Sequence, residues 1–220
     1  MSAGTVLLWR HGRTAHNATN RLQGQVDIPL DDIGERQAKA AAAALAATTT
    51  PAAIVVSDLG RATATAEFLV ELTGLAPTVE PRVRERSFGV WEGLTGEEIS
   101  AGWATEYAAW RSGGEPLNVG AESRADVAGR MVAAITEHAE RLNPDQALVV
   151  VSHGAAITLA LTALLGLDIA GWRGIAGLTN AHWAELRRNP DGMEPTWRLF
   201  GHDLGPSTSI EDWNAGTDLA

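Results

Sequence analysis

Three short runs in this chain, TVLLW at 5–9, AAIVV at 52–56 and ALVVV at 147–151, are apolar at successive positions rather than at alternate ones. A strand with one wet face alternates, so an unbroken apolar run bounded by polar residues reads as a strand covered on both sides, which is the mark of a parallel sheet sandwiched between helices. Helix-forming stretches follow each of them. DDIGERQAKAAAAALAA opens on Asp31 or Asp32 as a cap and is built from strong helix formers, SDLGRATATAEFLVELTG is closed by Gly74, and a second helix-length apolar run follows Gly154. The pattern predicts an α/β fold of three layers, αβα, around a mostly parallel central sheet.

Further expectations concern the rest of the chain. Residues 78–83 read as a strand. Residues 96–122 have poorer apolar periodicity and more glycine, including SGGEP at 112–116, and predict a helical lid inserted in the fold. Residues 178–186 and 196–200 predict antiparallel edge strands. At 220 residues one domain over 1–205 is expected, with a polar, loosely packed tail at 206–220. The apolar stretch 147–167 approaches membrane-spanning length, but Ser152, His153 and Gly154 interrupt it, so a buried strand feeding a buried helix is the better reading. The N-terminal residues lack the basic region and small-residue cleavage pattern of a secretory signal, which predicts a cytoplasmic protein.

Composition narrows the chemistry. A formal net charge of -10 disfavours nucleic acid and anionic membrane as partners, so any phosphate recognition has to be local. The absence of cysteine removes thiolate nucleophiles, disulfides and cysteine-ligated metals, and the six histidines include no HExxH spacing. Neither a metal nor a cofactor is expected.

What remains is concentrated at strand ends. Two apolar runs each terminate in a His-Gly pair, Arg10-His11-Gly12 and Ser152-His153-Gly154, where open parallel sheets bind ligands. A third run ends in Ser57-Asp58-Leu59, with Arg61 opening the next helix. Arg10 and Arg61 would face the same crevice, and their planar forks suit a phosphate dianion. A neutral imidazole beside them is a competent nucleophile at physiological pH. Glu85, after the 78–83 segment, is the natural general acid for a departing oxygen. A single histidine after a strand most often only closes the strand; the whole constellation points instead to a site. His16, His138, His182 and His202 lack such partners and read as surface or packing residues, with His182 beside Asn180 able to reach the rim. Glu92, Glu97 and Glu98 read as solvated helix-start charges, and the Trp103, Tyr107, Trp110 stripe reads as packing with a lid contact as the alternative.

These residues also carry a resemblance. LxRHGxTxxN stands as Leu8, Arg10, His11, Gly12, Thr14 and Asn17, and RLQGQVDIPLDDIGERQA, SDLGRATATA, RERSFGVWEGLT and VVVSHG follow in order. Together they resemble the histidine phosphatase superfamily, with its phosphoglycerate mutase-like fold, over most of residues 5–165. The resemblance implies that His11 becomes phosphorylated, that Arg10, Arg61 and His153 bind the phosphoryl group, that Glu85 donates the proton, and that Asn17, Gln23, Gly24 and Gly154 line the substrate pocket. Within the superfamily, Phe88 and Leu94-Thr95-Gly96 resemble the phosphatase branch, since mutases typically carry Tyr and LNK there. Segments 21–25, 120–124 and 178–183 are similar to the glucosyl-3-phosphoglycerate phosphatase group. The expected function is therefore phosphomonoester hydrolysis through a phosphohistidine on a small phosphorylated metabolite. A phosphoglycerate mutase and a catalytically silent phospholigand-binding protein are the alternatives, and a homodimer is the arrangement the resemblance suggests.

Overall fold

The computed structural model describes residues 2–206. In chain order these form β1 (Thr5–Arg10), α1 (Ala15–Ala18), α2 (Asp32–Thr48), β2 (Pro51–Val56), α3 (Gly60–Thr73), β3 (Thr78–Val79), α4 (Gly96–Gly102), α5 (Ala104–Arg111), α6 (Arg124–Ala139), β4 (Ala147–Ser152), α7 (Gly154–Leu164), β5 (Trp183–Arg188) and β6 (Trp197–Leu204). One sheet runs in the order β3-β2-β4-β1-β5-β6. Its first four strands are parallel, and β5 and β6 join by antiparallel pairing.

The unbroken apolar runs do what two-sided burial requires. Val6 and Leu8 of β1, with Leu148 and Val150 of β4, pack with α6 and α7, whereas Leu7 and Trp9, with Val149 and Val151, pack with α2 and α3. Successive residues of one strand thus enter opposite layers, because strand side chains alternate faces. The αβα layering is as expected from the sequence.

Local chemistry sets the helix starts. The Asp31 carboxylate accepts from Gly34 N at 2.8 Å and so caps α2. Asp27 reaches in from a preceding loop to accept from Gly60 N at 2.8 Å and performs the same service for α3. Gly74 ends α3 with φ +69°, a left-handed conformation that glycine adopts without steric cost.

The structure departs from the sequence expectations, or adds to them, at three places. The predicted strand at 78–83 shrinks to two residues, since Pro81 has no N–H to continue the ladder and the chain turns into a 3-10 turn at Pro81–Val83 capped by Glu80. The segment 178–182 is not strand either. Its backbone wraps the end of β1: the His182 carbonyl accepts from Arg10 N at 2.9 Å, and Ala181 N donates to the His11 carbonyl at 3.0 Å. β5 begins only at Trp183, beside β1 rather than at the edge, and β6 is the edge strand. The third is α6, which the sequence reading did not anticipate. It buries Val127, Ala128, Met131, Ala134, Ile135, His138 and Ala139 on one stripe and starts on Ser123, whose hydroxyl accepts from Asp126 N at 3.1 Å.

The predicted lid region contributes α4 and α5, and its Ile99 and Trp110 share a small third core with Phe88 and Trp91, which precede it in the chain. Trp103 and Tyr107 pack against that core, in line with the packing reading. Of the expected tail, Pro206 is described and 207–220 lie outside the described residues. No helix among the described residues is long and apolar enough to cross a membrane.

Gly12 shows how tightly the strand end is built. A Cβ there would stand 2.3 Å from the Gly34 carbonyl oxygen, because α2 passes directly over the β1 turn. Backbone cannot retreat as a flexible side chain would. Gly12→Ala is therefore expected to destabilise the fold by about 1–3 kcal/mol, measurable as a lowered urea midpoint. An unchanged midpoint would contradict the close approach.

Candidate active site

The parallel register decides what meets at the top of the sheet. Arg10 of β1 lies opposite Ser152 of the neighbouring β4, so the next residue of each strand, His11 and His153, emerge side by side. Their ring centroids are 5.1 Å apart. The ladder continues one step beyond the strands, with His11 N donating to the Ser152 carbonyl at 3.0 Å and Ser57 N, after β2, to the Val151 carbonyl at 3.0 Å. Three adjacent strand ends thus deliver His11, His153 and Ser57 to one buried place.

Hydrogen bonds define the ring nitrogens. The His11 Nδ1 lies 2.7 Å from the Gly12 carbonyl. A carbonyl only accepts, so Nδ1 carries the proton and Nε2 holds the lone pair. His153 has the opposite tautomer, since Arg61 Nε–H donates to its Nδ1 at 3.2 Å and its Nε2–H is left to donate to Ser57 Oγ at 2.8 Å. For His153 to donate to a phosphoryl oxygen, that proton has to leave Ser57.

Arg61 is fully buried at the start of α3. Its Nη1 and Nη2 donate to the carbonyls of Val26 and Gly24 at 2.8 and 2.7 Å. Gly24 adopts φ +54°, and its carbonyl is thereby turned onto Arg61 rather than into open space. Arg10, also buried, donates from Nη1 to the Leu178 carbonyl of the wrapping segment. Asn17 and Gln23 form a buried net with Thr14: Asn17 Oδ1 accepts from Thr14 N at 3.1 Å and from Asn180 Nδ2 at 3.3 Å, and Gln23 Oε1 accepts from Thr14 Oγ1 at 2.9 Å.

Glu85 sits across the first turn of α7. Its Oε1 accepts from Arg86 N at 2.8 Å and Ala156 N at 2.9 Å, and its Oε2 from Ala155 N at 3.2 Å. Gly154 is buried at the same turn. The Glu85 backbone is clamped as well, its carbonyl accepting from Gln25 Nε2 at 3.0 Å and Arg130 Nη2 at 2.9 Å.

These are the residues a phosphoryl-transfer site would require, and comparison with known proteins bears on them directly. The family model of the histidine phosphatase superfamily, branch 1, matches residues 6–199. The chain belongs to that superfamily. A glucosyl-3-phosphoglycerate phosphatase of Mycobacterium tuberculosis is 40% identical over 231 aligned residues, covering 100% of this chain and 98% of the relative. A probable phosphoglycerate mutase of Yersinia enterocolitica is 38% identical over 167 residues, covering 74% of this chain and 75% of the relative. Among solved structures, the mycobacterial glucosyl-3-phosphoglycerate phosphatase in complex with VO3 superposes with a TM-score of 0.82 at 38% identity, over 91% of this chain and 99% of that one.

Electrostatics in this histidine phosphatase favour neutral imidazoles. Burial, followed by the charges of Arg61 and Arg10, holds His11 well below its usual 6.5. His153 is lowered in the same way by burial and Arg61. Burial pulls the Arg61 guanidinium down to about 10, against the pull of Glu85 and Asp27, so it stays charged at neutral pH. Burial also raises Glu85 above the usual carboxylate value, opposed by the N–H of Arg86, by Arg61 and by the α7 N–H groups. The site therefore pairs a lone-pair nitrogen with a carboxyl group biased toward holding its proton.

Several contributors were not legible beforehand. Ser57 orients His153, Asn180 ties the wrapping segment to Asn17 and to the His11 carbonyl at 3.2 Å, and Thr65 Oγ1 accepts from Gly12 N at 3.0 Å. Arg130 comes from the unanticipated α6 and also donates to the carbonyls of Arg82 and Arg84, both at 2.7 Å. The signal available for it was Ser123 three residues before Asp126, a helix-start pattern. Of the weaker candidates, Glu98 forms a capping box with Thr95, as a helix-start charge should. Glu92 does not. It folds back so that its Oε1 accepts from Phe88 N at 2.9 Å, bracing the turn after Glu85. His138 is held against Glu80 at 3.3 Å, away from the site.

Proposed function

We propose that this enzyme hydrolyses glucosyl-3-phosphoglycerate to glucosylglycerate and inorganic phosphate through a phosphohistidine on His11. The observation that carries the reading is the tautomer of His11, which leaves the Nε2 lone pair beside His153 while Arg10 and Arg61 supply positive charge. In the first step Nε2 forms a bond to phosphorus as the bond to the glycerate oxygen breaks, and the carboxyl proton of Glu85 goes to that oxygen. In the second, water attacks the phosphohistidine, gives its proton to Glu85 and restores the imidazole. Charge on the transferring group is met by Arg10 and Arg61, which are held in place by carbonyl partners before any substrate arrives.

Substrate assignment follows the breadth of similarity. The mycobacterial phosphatase matches across the whole chain, whereas the similarity to the mutase spans 74% of it. The relative crystallised with VO3, an anion able to imitate a phosphoryl group in transfer, agrees with the same chemistry. Incubation with glucosyl-3-phosphoglycerate is expected to release phosphate stoichiometrically with glucosylglycerate, and acid-labile phosphate is expected on His11 by mass spectrometry after rapid quench. Isomerised phosphoglycerate from 3-phosphoglycerate, without phosphate release, would instead establish a mutase.

A further inference from the structure

Beside the phosphoryl site lies a cavity of about 580 Å³ whose inner wall includes Arg10 and Ala155. Ala155 N is the donor to Glu85 Oε2, so the cavity begins where a leaving alcohol would depart. Arg86, Arg124 and Arg173 also line it, and among the described residues no aspartate or glutamate does. In a chain of net charge -10 that is a local reversal of sign.

The three outer arginines are not equivalent. Arg86 is ion-paired with Glu115 at 2.5 Å. Arg124 and Arg173 instead converge on a single backbone oxygen, the Gly113 carbonyl, which accepts from Arg124 Nη1 and from Arg173 Nη2 at 2.6 Å. The remaining side-chain bonds of Arg173 go to the carbonyls of Ile169, Ala170 and Trp172. Neither guanidinium is ion-paired with a carboxylate among the described residues. Two like charges drawn together over one neutral oxygen repel each other, and an anion between them would relieve that repulsion while gaining charge-assisted bonds. Trp172, half exposed, lines the same cavity and offers an aromatic face of the kind that stacks on the C–H surface of a sugar ring.

We infer that this cavity receives the alcohol half of the substrate, with a carboxylate held between Arg124 and Arg173 and a sugar ring against Trp172. The assignment rests on the phosphatase reading for the position of the ester. It makes Arg124 and Arg173 the residues that distinguish a phosphoglycerate derivative from an uncharged phosphomonoester.

Binding calorimetry on the full chain tests it without turnover. Glucosylglycerate is expected to bind about ten- to a hundredfold more tightly than its methyl ester, and Arg173→Gln is expected to lose that difference. Arg124→Gln should behave alike; each variant removes one of the two donors to the Gly113 carbonyl, and because Arg173 is exposed and its other bonds go to carbonyls of its own loop, an unchanged thermal midpoint is expected to show that Arg173→Gln keeps the fold. In kinetics, the ratio of kcat/KM for glucosyl-3-phosphoglycerate over glycerol 3-phosphate is expected to fall about tenfold or more in Arg173→Gln, through KM. Acid and ester binding equally, or the acid binding wild type and Arg173→Gln equally, would overturn the inference. Should the wild-type protein hydrolyse no phosphomonoester, the proposed function falls, while the calorimetry still decides what the cavity holds.

Discussion

His11→Ala is expected to lower kcat by roughly 10⁴-fold or more and to abolish the acid-labile phosphoenzyme, since removal of a nucleophile removes the covalent route altogether. Binding should respond differently. Arg10 and Arg61 are anchored by carbonyls of Leu178, Val26 and Gly24 rather than by His11, so the anion site survives the substitution. Orthovanadate or phosphate titrated into His11→Ala should therefore still bind, while turnover is lost. Phosphate release at more than a few per cent of the wild-type rate would exclude the phosphohistidine route and point to direct attack by water.

Glu85→Gln is expected to cost roughly 10²–10⁴-fold with an alkyl ester such as glucosyl-3-phosphoglycerate, the usual worth of a positioned acid–base group. With p-nitrophenyl phosphate the leaving oxygen needs no proton. Phosphorylation of His11 should then remain fast while its hydrolysis, which uses Glu85 as base, becomes slow, and a burst of p-nitrophenolate should appear. The pH dependence follows from the signs of the shifts. Glu85 acts as acid only while protonated, so wild-type activity falls as pH rises through its raised value. His11 attacks only while neutral, so activity falls as pH drops through a value well below 6.5. Glu85→Gln should erase the alkaline limb and keep the acidic one. An alkaline limb that persists unchanged in the variant would assign that titration to another group.

The same buried imidazoles link pH to stability. His11 and His153 are held neutral in the folded protein by burial, whereas in the unfolded chain they titrate near 6.5. A group whose folded value is depressed stabilises the fold above its unfolded value and loses that contribution as pH falls below it. Thermal midpoints should accordingly decline from pH 7 toward pH 5, and a phosphate analogue bound at the site should shift them upward by mass action. Glu85, whose folded value is raised, acts in the opposite sense, so the decline should be steeper in Glu85→Gln, and a midpoint that rises over that interval in this variant would be incompatible with buried neutral histidines.

Much of this protein follows from local pattern. Apolar runs without alternation require cover on both faces, and the sheet with α2 and α3 on one side and α6 and α7 on the other supplies it. A strand that ends in His-Gly places its histidine at the carboxyl edge in any parallel sheet, so His11 and His153 could be singled out before any coordinates were known. Other features belong to the tertiary structure alone. Strand order, which makes β1 and β4 neighbours, sets the 5.1 Å between the two rings. The available nitrogen of His153 depends on Arg61, a residue 92 positions away, and the hold on Glu85 depends on Arg130 of α6, whose placement against residues 82–85 no local pattern sets. Convergence of Arg124 and Arg173 on Gly113 likewise has no trace in spacing. The physical reason is range: periodicity and capping are decided within a few residues, whereas the direction of a buried polar side chain is set by whichever distant carbonyl or imidazole the packed layers bring within 3 Å or so.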